Sequence, residues 1–223
     1  MKPFLIKAVL AAAGPVLAAG SLQGPVRILD RDGRPRPTLK DCVAILEPLD
    51  AAVRAPGPSR PLVIRTANKE FSPRVSIATP GTEVSFPNMD SILHNVFSLT
   101  PGNRFDTGHY LPGDSPRVRL SGPGLVRLYC NVHHQMNAFV WVVETPFAQV
   151  LEHRKDLRFD NVPPGSYRLR LWHPEAGERT WALRIDGAAT RGSWDLEATL
   201  PATPPHKNKF GKDYPPPPDE TGY

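Results

Sequence analysis

Apolar and polar residues alternate along most of this chain with a period of two, in short runs broken by Pro and Gly, and such a pattern predicts β-strands. The segment Gly24-Pro-Val-Arg-Ile-Leu-Asp-Arg-Asp-Gly-Arg-Pro, followed by Cys42-Val-Ala-Ile-Leu46, reads as two strands joined by an Asp-Gly turn. Residues 82–86 and 95–99 alternate on either side of a Pro-Asn-Met-Asp-Ser turn region, and residues 124–129 and 138–143 form a further pair of strands with a short polar connection. Residues 147–151 and 157–159, the turn Asn161-Val-Pro-Pro-Gly165 and residues 166–172 continue the pattern. The 27 prolines and 17 glycines among 223 residues punctuate short segments and exclude long helices. An all-β protein is expected, with enough chain for one or two domains.

The short connection after residue 129 concentrates the candidate chemistry: Cys130-Asn-Val-His133-His134-Gln-Met136. His94, in Leu93-His94-Asn95-Val96-Phe97, lies at the start of a different strand and can complete the set. One thiolate and two imidazoles in a trigonal arrangement, with a weak thioether on the axis, match the donors that copper prefers when it shuttles one electron. His94, Cys130, His133 and Met136 are therefore the expected ligands of a single copper ion. A buried free Cys beside an unrelated His is the bland reading of Cys130 taken alone. Zinc is a weaker competitor, because it gains little from an axial Met. His134 is expected to face the surface, and His109, His153, His173 and His206 to be structural or solvent-exposed.

At these residues the chain resembles the cupredoxins, or blue copper proteins, and especially plastocyanin and amicyanin. His94-Asn95-Val96 and Tyr129-Cys130 are similar to plastocyanin motifs, and the Cys-x-x-His-x-x-Met spacing is similar to the shortened amicyanin loop. Residues 71–88, with their Pro-Gly turn and Phe-Pro-Asn, resemble the opening strands of that fold, and the likeness covers roughly residues 62–143. It implies a Greek-key β-sandwich holding one type 1 copper ion, with Asn95 supporting the ligands from just outside the set. It also implies that His133 is the electron port, surrounded by candidates Leu93, Pro112 and Met136, and that His94 is more buried, its ring fixed by hydrogen bonding. The expected function is carriage of single electrons between a redox protein donor and an acceptor, without a substrate reaction of its own. A copper carrier or sensor is the rival, although the chain has only three methionines and no Met- and His-rich tract. A copper oxidase or nitrite reductase fragment would need a second copper centre, for which the histidines show no suitable pairing.

The flanking segments resemble a second fold. Val162-Pro-Pro-Gly-Ser-Tyr-Arg-Leu is similar to the later part of the carboxypeptidase regulatory-like β-sandwich, and the Asp-x-x-Gly turn to its opening. The expected layout is an opening hairpin at 24–50, a cupredoxin domain at 62–143 and the rest of the small sandwich at 145–200, with the cupredoxin inserted between its strands. No peptidase activity is implied, and the sandwich could serve as a partner-binding module. Residues 52–61 read as a linker, and the Pro-rich tail 201–223 lacks apolar periodicity and is expected to be disordered.

Residues 1–20 carry Lys2 and Lys7, an apolar run at 8–19 and small residues suited to cleavage, as in a secretory signal peptide. The run is too short for a comfortable membrane span, so the mature chain is expected in the periplasm. In an oxidising compartment Cys42 and Cys130 invite a disulfide, but copper ligation of Cys130 leaves Cys42 free and buried. Loss of the leader takes the formal charge from +5 to +3, which can steer an acidic partner. Scattered Lys and Arg without a binding motif give no support for nucleic acid.

Overall fold

The computed structural model describes residues 18–50, 53, 56, 57, 59–151, 156–202 and 205–214. The protein is all-β: among the described residues there is no helix, and strands build two packed lobes. No helix among the described residues is long and apolar enough to cross a membrane. The structure of residues 1–17, which hold most of the expected leader, and of His153 lies outside the described residues.

The central lobe is a sandwich. Its larger sheet runs in the order Phe105–Tyr110, His94–Ser98, Gly124–Tyr129, Asn137–Val142, Val75–Ala78, and its smaller sheet pairs Arg117–Leu120 with Thr82–Ser85 and Thr82–Ser85 with Leu62–Val63. Alternation decides which side chains meet between the sheets. Val126, Leu128 and Cys130 project inward from one strand and Ala138, Val140 and Val142 from its partner, packing with Val84, Phe86, Val96 and Leu120. Asn137–Val142 is buried at every position, because its other face also packs.

That second contact joins the lobes. Phe139, Trp141 and Val143 meet Val43, Ile45 and Trp172 of the flanking lobe in a separate apolar cluster. The Phe139 and Trp172 rings stand edge to face at 5.1 Å, and the Trp141 and Trp172 rings do so at 6.0 Å. Arg74 and Arg170 lie over the Phe139 and Trp141 rings at 5.8 and 5.5 Å.

The flanking lobe draws its strands from both sides of the central one. Cys42–Pro48 lies between Ala148–Leu151 and Gly165–His173 in a four-stranded sheet completed by Gly177–Ile185. The chain therefore leaves for the central lobe from one strand and returns on its neighbour. Gly20–Gly24 pairs with Leu157–Val162 and Ala189–Arg191, and Val26–Leu29 pairs with Trp194–Glu197. The Tyr167 hydroxyl donates to the Pro163 carbonyl at 2.7 Å, so the tyrosine of the Val-Pro-Pro-Gly-Ser-Tyr run ties down its own turn. Cys42 is free, and burial pushes its thiol up to about 12.

The expected opening hairpin is corrected. The Asp30–Gly33 turn forms, with the Asp30 carboxylate accepting from the Asp32 and Arg34 amides, but Val26–Leu29 and Cys42–Pro48 belong to different sheets. After an isolated bridge from Leu29 to Pro35 the chain crosses between layers. Pro35 and Pro37 cannot donate to a ladder, and the run Cys42 to Leu46 is buried on both faces, which demands a place inside a sheet rather than at a hairpin edge.

His173 is structural. It is buried, its Nε2 donates to the Lys40 carbonyl at 3.2 Å and its Nδ1 accepts from the Glu175 amide at 3.2 Å, so the neutral ring is fully satisfied. Burial holds it below the ordinary value of 6.5, against the pull of the Glu175 and Asp41 carboxylates. A base whose folded value is depressed supports the fold fully above 6.5, and that support is lost as the pH falls toward the folded value, because the unfolded chain takes the proton first. Urea unfolding of the metal-free protein should therefore show a stability loss between about pH 7.5 and pH 5.5 that is smaller in His173→Gln. Equal losses in the two proteins would remove His173 from this account.

Candidate metal centre

Two strands and one loop build the site. His94 opens the strand His94–Ser98, Cys130 follows the last residue of Gly124–Tyr129, and the loop returns into Asn137–Val142. Because Tyr129 pairs with both Phe97 and Asn137, the three segments meet at one end of the larger sheet. The loop is closed by its own backbone: the Met136 amide donates to the His133 carbonyl at 3.0 Å and the Cys130 amide to the Met136 carbonyl at 3.3 Å.

Three donor atoms converge. Nδ1 of His94 and Nδ1 of His133 lie 4.0 and 3.9 Å from Cys130 Sγ, and all three ligand atoms lie within 4.8 Å of one another. Two metal–ligand bonds of about 2.0 and 2.3 Å opening at a trigonal angle span about 3.7 Å, so the spacing suits one shared ion. His94 and Cys130 are 0 % exposed, while His133 is half-buried and its neighbour His134 exposed. Met136 is 1 % exposed and packs in the same apolar cluster as Cys130. That burial corrects the expectation that Met136 would help form an exposed rim around His133.

The imidazoles are prepared for a cation. His94 Nε2 lies 2.9 Å from Asp90 Oδ2, which places the ring proton on Nε2 and leaves the Nδ1 lone pair facing the thiol. Asp90 is itself held by the Asn68 and Lys69 amides at 2.6 and 2.9 Å. Partial burial works against its charge, but these two donations and the His94 ring outweigh it and hold the carboxyl below its ordinary range. Asn68 and Lys69 both have positive φ, 54° and 56°, at the tip of the hairpin formed by Arg65–Ala67 and Glu70–Ser72. Such a two-residue turn directs consecutive amides outward. For His133, burial, with the neighbouring His94 ring and Lys69, holds the imidazole below its ordinary range.

Asn95 is fully buried and bonds on both sides of the loop. Its Nδ2 donates to Asp106 and to the Gly108 carbonyl, and its Oδ1 accepts from the Asn131 amide at 3.3 Å, tying the loop to the neighbouring strand. The Val132 amide points at Cys130 Sγ from 3.4 Å, a donor suited to a thiolate. Tyr110, buried beside the site, is pushed up to about 12 chiefly by burial, and its hydroxyl bonds Thr66. Met89, Ile92, Leu93, Leu111 and Val132 are exposed apolar side chains on the loops that carry these residues, and Pro112 is exposed beside them.

The tail is where expectation and structure part most clearly. Residues 205–214 are folded against the site rather than free in solvent. The His206 ring stacks on Tyr129 at 3.8 Å, the Lys209 amide donates to Asn131 Oδ1 at 3.0 Å, and the Tyr214 hydroxyl donates to the Cys130 carbonyl at 3.0 Å. His206, expected to be structural or solvent-exposed, is a packing residue on Tyr129. Asp90, four residues before His94, and the spaced rings of His206, Phe210 and Tyr214 were the signals available in sequence.

No protein-family model matches the chain, and no curated protein matches it. Among solved structures, the copper-containing nitrite reductase (NirK) from Thermus scotoductus SA-01 is similar at 23 % identity over 44 % of this chain and 25 % of that chain, with a TM-score of 0.36. The chain therefore spans a quarter of the length of that reductase. A purple cupredoxin from Nitrosopumilus maritimus is similar at 22 % identity over 37 % of this chain and 99 % of that chain, with a TM-score of 0.33. A reduced amicyanin variant is similar at 19 % identity over 45 % of this chain and 98 % of that chain, with a TM-score of 0.35. These structural neighbours are cupredoxins of low identity and partial coverage, and the chemistry of the site rests on its own geometry.

Proposed function

We propose that this protein is an exported mononuclear type 1 copper protein that carries single electrons between redox partners. The observation that carries the reading is the convergence of His94 Nδ1, Cys130 Sγ and His133 Nδ1 in a buried end of the sandwich, with the His94 tautomer set by Asp90. Met136, buried in the same apolar cluster as Cys130, would offer its thioether as a further donor. The bound copper ion supplies a Cu(I)/Cu(II) couple.

The residues do the rest. Cys130 would offer a bound ion its thiolate and His94 and His133 their Nδ1 lone pairs, while Asn95, Asp90 and the closed loop hold these side chains still. A cage that moves little between oxidation states keeps the barrier to electron transfer low. His133, the half-buried ligand, is the port, and the exposed apolar residues Met89, Leu93, Leu111 and Val132 form the docking surface around it. The N-terminal apolar segment supports export to the periplasm, where donor and acceptor are redox proteins.

A copper carrier or sensor would have to release the ion. Full burial of His94 and Cys130 favours retention over hand-over. Protein-film voltammetry of the copper-loaded chain tests the proposal: a reversible one-electron wave with fast interfacial transfer is expected. Slow or irreversible reduction accompanied by copper loss would instead favour metal handling.

A further inference from the structure

The C-terminal segment is built like a fastener. Asn208 organises a tight turn: its Oδ1 accepts from the Phe210 and Lys212 amides, its amide donates to the Lys212 carbonyl, its carbonyl accepts from Gly211, and its Nδ2 donates to the Asp213 carbonyl. Lys207 and Asp213 close the base of the turn as an ion pair at 2.5 Å. A segment of this length with no strand partner gains such order only where contacts offset its conformational entropy. Those contacts fall on the metal loop, on Tyr129 before it and on Asp106 of the strand Phe105–Tyr110. Lys209 contributes its amide to Asn131 Oδ1 and its ammonium to Asp106 at 2.7 Å, the same carboxylate that receives Asn95 Nδ2. Tyr214 reaches the Cys130 carbonyl, and its ring lies 5.9 Å from His134 and 5.3 Å from His206, which covers Tyr129.

Lys209 and Asn95 thus grip Asn131 from two sides, through its side chain and its amide, while Tyr214 occupies the carbonyl of the residue that bears the thiol. We infer that Lys209 and Tyr214 are positioning residues of the metal loop, and that residues 206–214 act as a clasp that keeps residues 130–136 in their closed form. The inference rests on the metal-binding reading of that loop, but the clasp itself is a property of the metal-free chain. Its consequence is kinetic: opening of the loop, which exposes Cys130, requires release of the clasp. Cys42, 0 % exposed in the flanking lobe and remote from these contacts, provides an internal reference.

The test is alkylation of the metal-free protein by iodoacetamide, with modification of Cys130 and Cys42 followed separately by peptide mass spectrometry. Full-length protein, a chain ending at Ala202 and Tyr214→Phe are compared. Truncation, which removes every contact of the clasp, should speed Cys130 alkylation at least about tenfold, and Tyr214→Phe, which removes one hydrogen bond, about threefold, with Cys42 unchanged. Copper release to a chelator from the loaded proteins should accelerate in the same order. Equal Cys130 rates in all three proteins would overturn the clasp, as would a parallel rise at Cys42, which reports global unfolding. A truncation effect without a Tyr214→Phe effect would overturn the role of Tyr214. Failure of the full-length chain to take copper would count against the proposed function alone, since the alkylation comparison needs no metal.

Discussion

Cys130→Ser should lose copper affinity by more than about a hundredfold, because partners one bond removed from a metal already cost about 10–100-fold when lost and a direct thiolate ligand must exceed that. The hydroxyl keeps its proton at neutral pH and offers a harder oxygen where copper in a one-electron site favours sulfur. Competition against a chromophoric chelator measures the loss. The fold should survive, since Ser is close in volume and the Val132 amide, 3.4 Å from Sγ, can donate to the new oxygen; the cost in stability is about 1–3 kcal/mol. Cys130→Ala provides the apolar counterpart and should lose affinity to a similar degree. Unchanged affinity in either variant would mean that the metal, if bound, sits elsewhere.

The second large effect concerns the seam between the lobes. Phe139→Ala should destabilise the protein by about 3–5 kcal/mol, the range for deleting a buried aromatic ring, because Phe139 is 1 % exposed and packs edge to face on Trp172 beneath the Arg74 guanidinium. Phe139→Leu, which keeps most of the apolar volume, should cost less. Phe139 lies three residues after Met136 on the strand that receives the metal loop, so this seam also anchors one end of the site. Chemical denaturation followed by Trp fluorescence should show the loss, with Trp141 and Trp172 reporting the seam directly. A cost below about 1 kcal/mol would show that the lobes are joined by something other than this cluster.

Much of this architecture was written in short-range pattern. Alternation located the strands at 82–86, 95–99, 124–129 and 166–172, because each buries one or both faces against a sheet and a period of two follows directly. The convergence of His94, Cys130 and His133 was also legible: two of the three share one loop, and the type of each side chain carries its chemistry. What stayed hidden was set by long-range geometry. Asp90 looked like one more polar residue of a turn, and only folding brings the Asn68–Lys69 hairpin tip against it. The crossing from Val26–Leu29 to Cys42–Pro48 was hidden because an Asp-Gly turn marks a reversal without saying which strand the chain will join. The clasp was hidden for a different reason. It adds no strand, so it leaves no periodicity, and its hold comes from hydrogen bonds, the Lys209–Asp106 ion pair and ring contacts.

The most direct test of the central claim is the visible absorption and electron paramagnetic resonance of the purified protein loaded with one equivalent of Cu(II). A trigonal site of two imidazoles and a thiolate predicts an intense thiolate-to-copper absorption band and narrow hyperfine splitting, both abolished reversibly by a reductant and absent from Cys130→Ser. A pale solution with the wide splitting of ordinary tetragonal copper would contradict it.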